Sequence, residues 1–328
     1  MSETNLYAAG AGVVVGVDLG GTKIAAATVD ADGTLGRVHT TPTPATDGPA
    51  AVLDAVASLV RGVLAAAGTG LRALGVGAAG VIDSGRGVVV SATETFPGWP
   101  GTDIAGGLRE RLAPLAAEDG FVVVVENDVD AHAAGETWRG AAAGARSVLL
   151  VAVGTGVGAA VVLDGRLLRG AHHLAGEAGH LPVPGAEGLR CPCGRTGHLE
   201  AVGAGPSIHR RYLALGGDPA APDARDVVAR AVGGDDLAAR VVRAAGEAVG
   251  RAIAGIVTVL DPEVVVVGGG VAEAGGLWWS ALEGALRSEV VDVLADLPVV
   301  PAALAGEAAI VGAAHCAWTM TTSSDEEQ

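Results

Sequence analysis

Apolar and polar positions change period along this chain in a regular order. Val13, Val14, Val15 and Val17 lead into Asp18, the stretch Gly20-Gly21-Thr22-Lys23 interrupts, and a second apolar run follows from Ile24 to Val29. Two short apolar runs joined by glycines predict two strands and a tight turn. Asp32-Gly33 signals another turn, Leu35 to His39 a third strand, and the Thr/Pro-rich stretch Thr40 to Pro49 a loop. From Ala50 to Ala67, Val52, Leu53, Val56, Leu59, Val60, Val63 and Leu64 recur at helical spacing, and Leu71 to Ala78 reads as a short buried strand. Strand, strand, strand, helix, strand is an α/β order.

The stretch Ala79 to Gly101 breaks the period, being rich in Gly, Ser, Thr and Pro around Trp99. It reads either as a ligand-contacting loop at a strand end or as a surface loop pinned by Trp99. Ile104 to Leu115 is expected to be helical. Phe121 to Val125 is a continuous apolar run, expected to form a central strand buried on both faces, with a helix from Val129 to Trp138 after it. Glu126, Asn127 and Asp128 fall at the end of that strand. A carboxylate there can act as general base toward a substrate hydroxyl while the neighbouring amide holds the substrate. Asn and Asp are equally the residues that cap helix N-termini.

The pattern then repeats. Ser147 to Gly170 reads as an apolar strand, the glycine turn Gly154-Thr155-Gly156-Val157-Gly158, a second apolar strand and an Asp164-Gly165 turn, the same layout as Val13 to Gly33. Such internal similarity predicts two domains of related topology that face each other across a cleft, each offering a glycine turn to one nucleotide. A third glycine turn, Gly268-Gly269-Gly270, follows the apolar run Val264 to Val267 and a helix expected over Leu237 to Leu260, which Asp261-Pro262 stops. It allows close approach of a flat group such as adenine, or it is a plain strand-to-helix turn. In each turn, missing Cβ atoms let backbone N–H groups close on an anion. Thr22 adds a hydroxyl, Lys23 a positive charge, and Asp18 is placed to meet a cation accompanying phosphates. An ordinary turn with a solvated lysine fits the same residues.

Composition narrows the partners. The chain has 328 residues, enough for two cores, and with aromatics at 3% those cores must be built from Ala, Val and Leu. A net charge of −16 disfavours nucleic acid and anionic membranes. No run reaches the roughly 18 to 20 continuous apolar residues of a membrane span, and MSETNLYAAG lacks the regions of a signal peptide. Cys191, Cys193 and Cys316 do not make a secreted disulfide framework. A cytoplasmic protein is expected.

Ala175 to Glu200 holds the densest chemistry. Cys191 and Cys193 are separated by one proline, His198 follows, and His180 precedes them. Thiolate and imidazole ligands of this kind suit tetrahedral Zn²⁺, which would supply the core that a Gly/Pro-rich loop lacks. Glu177 and His180 share a face within one helical turn. A zinc bound to one ring nitrogen of His180 would leave the other for a ligand beside Glu177, with Glu200 next to the cluster.

Taken in order, DLGGTK (Asp18 to Lys23), END (Glu126 to Asp128), GTGVG (Gly154 to Gly158), AGEAGH (Ala175 to His180), CPCGRTGHLE (Cys191 to Glu200), VVGGGV (Val266 to Val271) and GEAAIVGAA (Gly306 to Ala314) resemble the ROK family of sugar kinases. The resemblance implies an actin-like, hexokinase-like ATPase fold of two ribonuclease H-like α/β repeats with a cleft between domains. It places residues 1–134 in a smaller N-terminal domain, completed by a C-terminal helix at about 306–320, and residues 135–305 in a larger domain carrying the zinc loop. It implies ATP as co-substrate with Mg²⁺, and structural zinc on His180, Cys191, Cys193 and His198. Phosphates would lie on Asp18, Gly20, Gly21, Thr22 and Lys23 and on Gly154, Thr155, Gly156 and Gly158, with adenosine at Gly269 and Gly270. Asp128 would be the catalytic base. Sugar contacts would come from Gly80, Val81, Thr93, Asn127, Asp128, Glu177, His180 and Glu200.

Glucose is the commonest acceptor in the family, and N-acetylmannosamine, N-acetylglucosamine or a cyclitol are the alternatives. Non-catalytic sugar-responsive ROK regulators carry a DNA-binding segment before the first hairpin, whereas here about a dozen residues precede Val13. Homodimers or homotetramers are usual. Two positions depart from the family pattern. His198 stands where a third cysteine is usual in CxCGxxGC, and the sugar loop lacks the proline before Gly80 and the asparagine before the PGW-like end.

Overall fold

The computed structural model describes residues 12–92, 97–117 and 121–325. They form two compact units, one comprising the described residues up to Ala143, Gly170–His173 and those from Gly306 onward, the other Gly144–Arg169 and Leu174–Ala305. A boundary between 134 and 135 would cut a helix; the units part instead in the turn that follows it.

In the first unit, β1 (Val13–Leu19) and β2 (Lys23–Thr28) form the expected antiparallel hairpin, Leu19 opposite Ile24. The third strand is displaced from Leu35–His39. It is β3 (His39–Pro42), which lies against β2 with Thr41 opposite Ile24, while Leu35 makes only an isolated bridge to Val29. Pro42 is tolerated because β3 is an edge strand. Helix α1 (Pro49–Ala67) buries Val52, Leu53, Val56, Val60, Val63 and Leu64. It is long and apolar enough to cross a membrane, with a mean hydropathy of 1.8, but its polar face carries Asp54 and Arg61 and its apolar face belongs to the core.

Strand β4 (Leu71–Ala78) runs parallel to β1. The expected loop after it contains a hairpin, β5 (Val81–Asp83) with β6 (Val88–Ser91), and Trp99 is fully buried with its Nε1 donating to the Ala79 carbonyl at 3.1 Å. Helix α2 (Ile104–Leu112) stops short of Leu115 and finishes as a 3₁₀ turn. Strand β7 (Val122–Asn127) pairs with β4, and α3 (Asp128–Arg139) follows at once. The sheet order is β3-β2-β1-β4-β7. Contrary to the sequence reading, β7 is an edge strand, and Val122 and Val124 are only half-buried.

The second unit repeats this plan. β8 (Val148–Val153) and β9 (Val157–Leu163) form a hairpin extended by β10 (Arg166–Leu167). After the metal-type loop come α4 (Glu200–Gly203), α5 (Gly205–Ala214), α6 (Ala224–Val232) and α7 (Asp236–Leu260). Asp261 ends α7 in the left-handed conformation, φ 48°. β11 (Val264–Gly268), α8 (Gly276–Glu289) and β12 (Val299–Pro301) complete the unit. The sheet order is β10-β9-β8-β11-β12. Each sheet is therefore an antiparallel run of three strands continued by two parallel ones.

The last helix, α9 (Ala308–Asp325), returns to the first unit and runs beyond the expected end at 320. It packs on β1, β4 and α3, with Ile310, Ala314 and Ala317 buried among Val14, Ala25 and Ala73. Glycines make this approach possible, since a Cβ on Gly16, Gly75 or Gly135 would overlap a carbonyl of α9.

Candidate active site

The turn between β1 and β2 is closed by Gly20 N, which donates to the Lys23 carbonyl at 3.1 Å. Thr43 braces it from outside: its Oγ1 donates to the Gly20 carbonyl at 2.8 Å and its N to the Thr22 carbonyl at 3.1 Å. Thr22 and Lys23 are exposed and Gly21 is half-buried. Asp18 sits near the end of β1, where burial pushes its carboxyl above the ordinary range and Lys23 opposes the shift. A carboxylate in that position fits a cation partner, which the lysine or a divalent ion travelling with phosphates can provide. Thr43 was missed because it sits in a Thr/Pro run that reads as loop.

Asn127 and Asp128 join β7 to α3. Asn127 is the N-cap, its Oδ1 accepting from Val129 N at 2.8 Å and Asp130 N at 3.2 Å. Its Nδ2 donates to the Gly80 carbonyl at 2.9 Å, which ties the β4–β5 connection to the start of α3. Gly80 has φ 109°, and a Cβ there would stand 2.9 Å from the Ser91 carbonyl, so only glycine fits this approach. Gly80, Val81, Asn127 and Asp128 are thus brought together, while Thr93 lies outside the described residues. Asp128 is half-buried at the first position of α3, with Oδ1 accepting from Val129 N at 3.0 Å. Glu126 is 2% exposed and accepts from Ser84 Oγ at 2.7 Å. The cap reading and the substrate reading of Asn127 are compatible, because Nδ2 carries a second hydrogen.

In the second unit the turn between β8 and β9 is closed by Gly154 N, donating to the Gly156 carbonyl at 2.8 Å. Thr155 and Gly156 are exposed. The third glycine turn lies against the same place: Val271 N donates to the Val153 carbonyl at 2.9 Å, and a Cβ on Gly154 would stand 3.9 Å from Gly270 N. Gly269 could not carry a side chain beside Val153. Gly158 lies one residue into β9.

Glu177 precedes a single 3₁₀ turn, Ala178–His180, so its carboxylate reaches His180 Nε2 at 3.6 Å. Burial raises the Glu177 carboxyl; His180 opposes this and Glu200 adds to it. The other ring nitrogen, His180 Nδ1, is 3.6 Å from Cys191 Sγ, and Cys193 Sγ is 3.3 Å from His198 Nδ1. The Cys191–Thr196 stretch is a tight hairpin closed by Cys191 N to the Arg195 carbonyl at 2.8 Å, with Gly194 in the left-handed region at φ 87°. One ligand atom from each of His180, Cys191, Cys193 and His198 lies within 4.8 Å of the others. Zn–S and Zn–N bonds of about 2.3 and 2.0 Å at a tetrahedral angle would put neighbouring S and N ligands about 3.5 Å apart. The donor set and its spacing therefore fit zinc. Without a cation, burial and the neighbouring Cys193 thiol push the Cys191 thiol up to about 11, a cost that metal charge removes.

The chain matches the model of the ROK family over residues 14–319. A glucokinase of Thermotoga maritima is 33% identical over 319 residues, which cover 92% of this chain and 96% of the relative. Among solved structures, the ROK hexokinase of Thermus thermophilus is similar at a TM-score of 0.82 and 37% identity, covering 94% of this chain and 99% of its own. A ROK family glucokinase of Streptomyces griseus in complex with glucose and AMPPNP is similar at a TM-score of 0.78 and 30% identity, covering 94% and 100%. The expected two-domain α/β ATPase fold is the fold of these structures and of this chain.

Proposed function

The chain belongs to the ROK family, and from that membership we propose that it transfers the γ-phosphate of ATP to a hydroxyl of a hexose, converting glucose to glucose 6-phosphate. The observation that carries this reading is the recurrence of one device in both sheets, a strand ending in an exposed glycine turn, together with a carboxylate at the start of α3. Backbone N–H groups of such turns suit phosphate oxygens, and a carboxylate suits the proton of an attacking hydroxyl. Glucose is supported by the likeness to glucokinases.

In this reading Gly20, Gly21, Thr22 and Lys23, with Gly154, Thr155, Gly156 and Gly158, hold the phosphates, and Gly269 and Gly270 take the adenosine. Asp128 accepts the hydroxyl proton as the sugar oxygen bonds to the γ-phosphorus and ADP leaves. Asn127, Gly80, Val81 and Thr93, with Glu177, His180 and Glu200, position the sugar. Phosphoryl transfer depends on such positioning and on charge stabilisation. Magnesium arriving with ATP would neutralise the phosphates, and Asp18 is the carboxylate placed to meet it. His180, Cys191, Cys193 and His198 would hold zinc, which supplies structure to a loop poor in apolar residues; His180 would use Nδ1 for the metal and keep Nε2 for a hydroxyl. The reading carries with it a cytoplasmic enzyme that associates as dimers or tetramers, which light scattering checks.

Asp128→Asn tests it. Sugar binding should stay close to that of the unaltered protein while kcat falls by about 10²- to 10⁴-fold, the usual contribution of a general base. Unchanged turnover would remove Asp128 from the role.

A further inference from the structure

We propose that Glu200 is the positioning residue of the second glycine turn, and that it sets the turn for the nucleotide before any sugar arrives. The proposal rests on the kinase reading and adds to the sugar contact given there. Val157 opens β9 and is buried, so its N–H must find a partner inside the protein. A partner stands outside the β8–β9 ladder, in which Val157 lies opposite Val153. It is the Glu200 carboxylate, whose Oε2 accepts from Val157 N at 3.0 Å.

The surroundings are shaped for this bond. A Cβ on Gly156 would stand 2.8 Å from Glu200 Oε2, and one on Gly179 would stand 3.3 Å from it. Glycine at both positions leaves the carboxylate its place. Glu200 is itself fixed, because its carbonyl accepts from Ser207 Oγ at 2.6 Å. The same short segment also holds the entry of the turn, where Gly205 N donates to the Gly154 carbonyl at 2.8 Å. Residues 200–205 thus grip the turn at both ends, leaving the exposed Thr155 and Gly156 between them. Hydrogen bonds to a charged acceptor are among the stronger ones in proteins, so the carboxylate fixes where these N–H groups sit.

Nucleotide affinity measured without sugar separates this role from a sugar contact. Titration calorimetry with AMPPNP and magnesium is run on the intact protein and on Glu200→Ala and Glu200→Gln. The alanine variant should bind on the order of tenfold more weakly, since a charge-assisted hydrogen bond is lost. The glutamine variant should stay within about twofold, because its Oε1 still accepts from Val157 N. If the alanine variant does not fold, Glu200→Asp, one methylene too short to reach Val157, is read in its place with the same expectation. Alanine or aspartate variants that are folded and bind AMPPNP as tightly as the unaltered protein overturn the proposal and leave the kinase reading standing. An unaltered protein that does not bind AMPPNP overturns both.

Discussion

Replacing Gly75 by alanine tests the packing that backs the first unit's site. Gly75 lies in the middle of β4 and pairs with Gly16 of β1 and Val124 of β7. A Cβ built on it overlaps the Ala313 carbonyl of α9 and stands 2.9 Å from Ala314 N. These are backbone atoms, so no rotamer change relieves the clash, and α9 must move away by more than an ångström. Helix α9 cannot do so cheaply, because Ile310, Val311, Ala313, Ala314 and Ala317 are all at most 2% exposed. Overpacking of this kind costs about 1–3 kcal/mol, and a backbone clash belongs at the upper end. For a unit of this size about 3 kcal/mol corresponds to a fall in Tm of roughly 6–12 °C. Gly62 is the internal control: it lies on the exposed side of α1 with nothing within 4 Å of an added Cβ. Gly62→Ala should stabilise by about 0.5–1 kcal/mol. Scanning calorimetry of both variants gives the comparison. If Gly75→Ala melts with or above the unaltered protein, the described seating of α9 is wrong.

Two further outcomes follow from the site. Burial raises the Asp18 carboxyl, so the folded protein binds that proton more tightly than the unfolded chain. Stability from this group is therefore lost as pH rises from the ordinary carboxylate range through the raised value. Asp18→Asn should melt above the unaltered protein at neutral pH, with the gain shrinking toward low pH, and should weaken binding of magnesium–AMPPNP; a lower Tm at neutral pH would contradict the burial argument. Metal analysis of purified protein should find about one zinc per chain, with retention against a chelator improving as pH rises because the thiols must lose protons to bind. His198→Ala should lose its zinc at chelator concentrations the unaltered protein survives; equal retention would exclude His198 as a ligand.

The parts legible in the sequence were those whose signal is local. Val13–Val29 and Val148–Leu163 alternate apolar runs with glycine turns, and their repetition announced two related sheets. The same applies to the histidines and cysteines of the metal-type loop, whose residue types and spacing suffice. Strand β7 was misjudged because a continuous apolar run reports what covers a strand, not how many neighbours it has. Its second face lies partly against the cluster built by α9, which comes from the far end of the chain. β3 was misplaced because Thr40, Thr41 and Pro42 read as loop until pairing with β2 is known. The supports of the site were invisible for the same reason. Thr43 beneath the first turn and Ser84 on Glu126 act over separations of 23 and 42 residues, and no local pattern marks them; Glu200 is marked by its motif, but its bond to Val157, 43 residues away, is not.

ADP release under magnesium–ATP measures phosphoryl transfer from ATP to a sugar without an intermediary. With glucose, N-acetylmannosamine, N-acetylglucosamine and a cyclitol offered separately, sugar-dependent ADP release is expected to be strongest with glucose, with glucose 6-phosphate as the product. Release strongest with one of the other three would change the acceptor and keep the chemistry. Absence of sugar-dependent ADP release across the whole panel would show that the protein is not a kinase of these sugars.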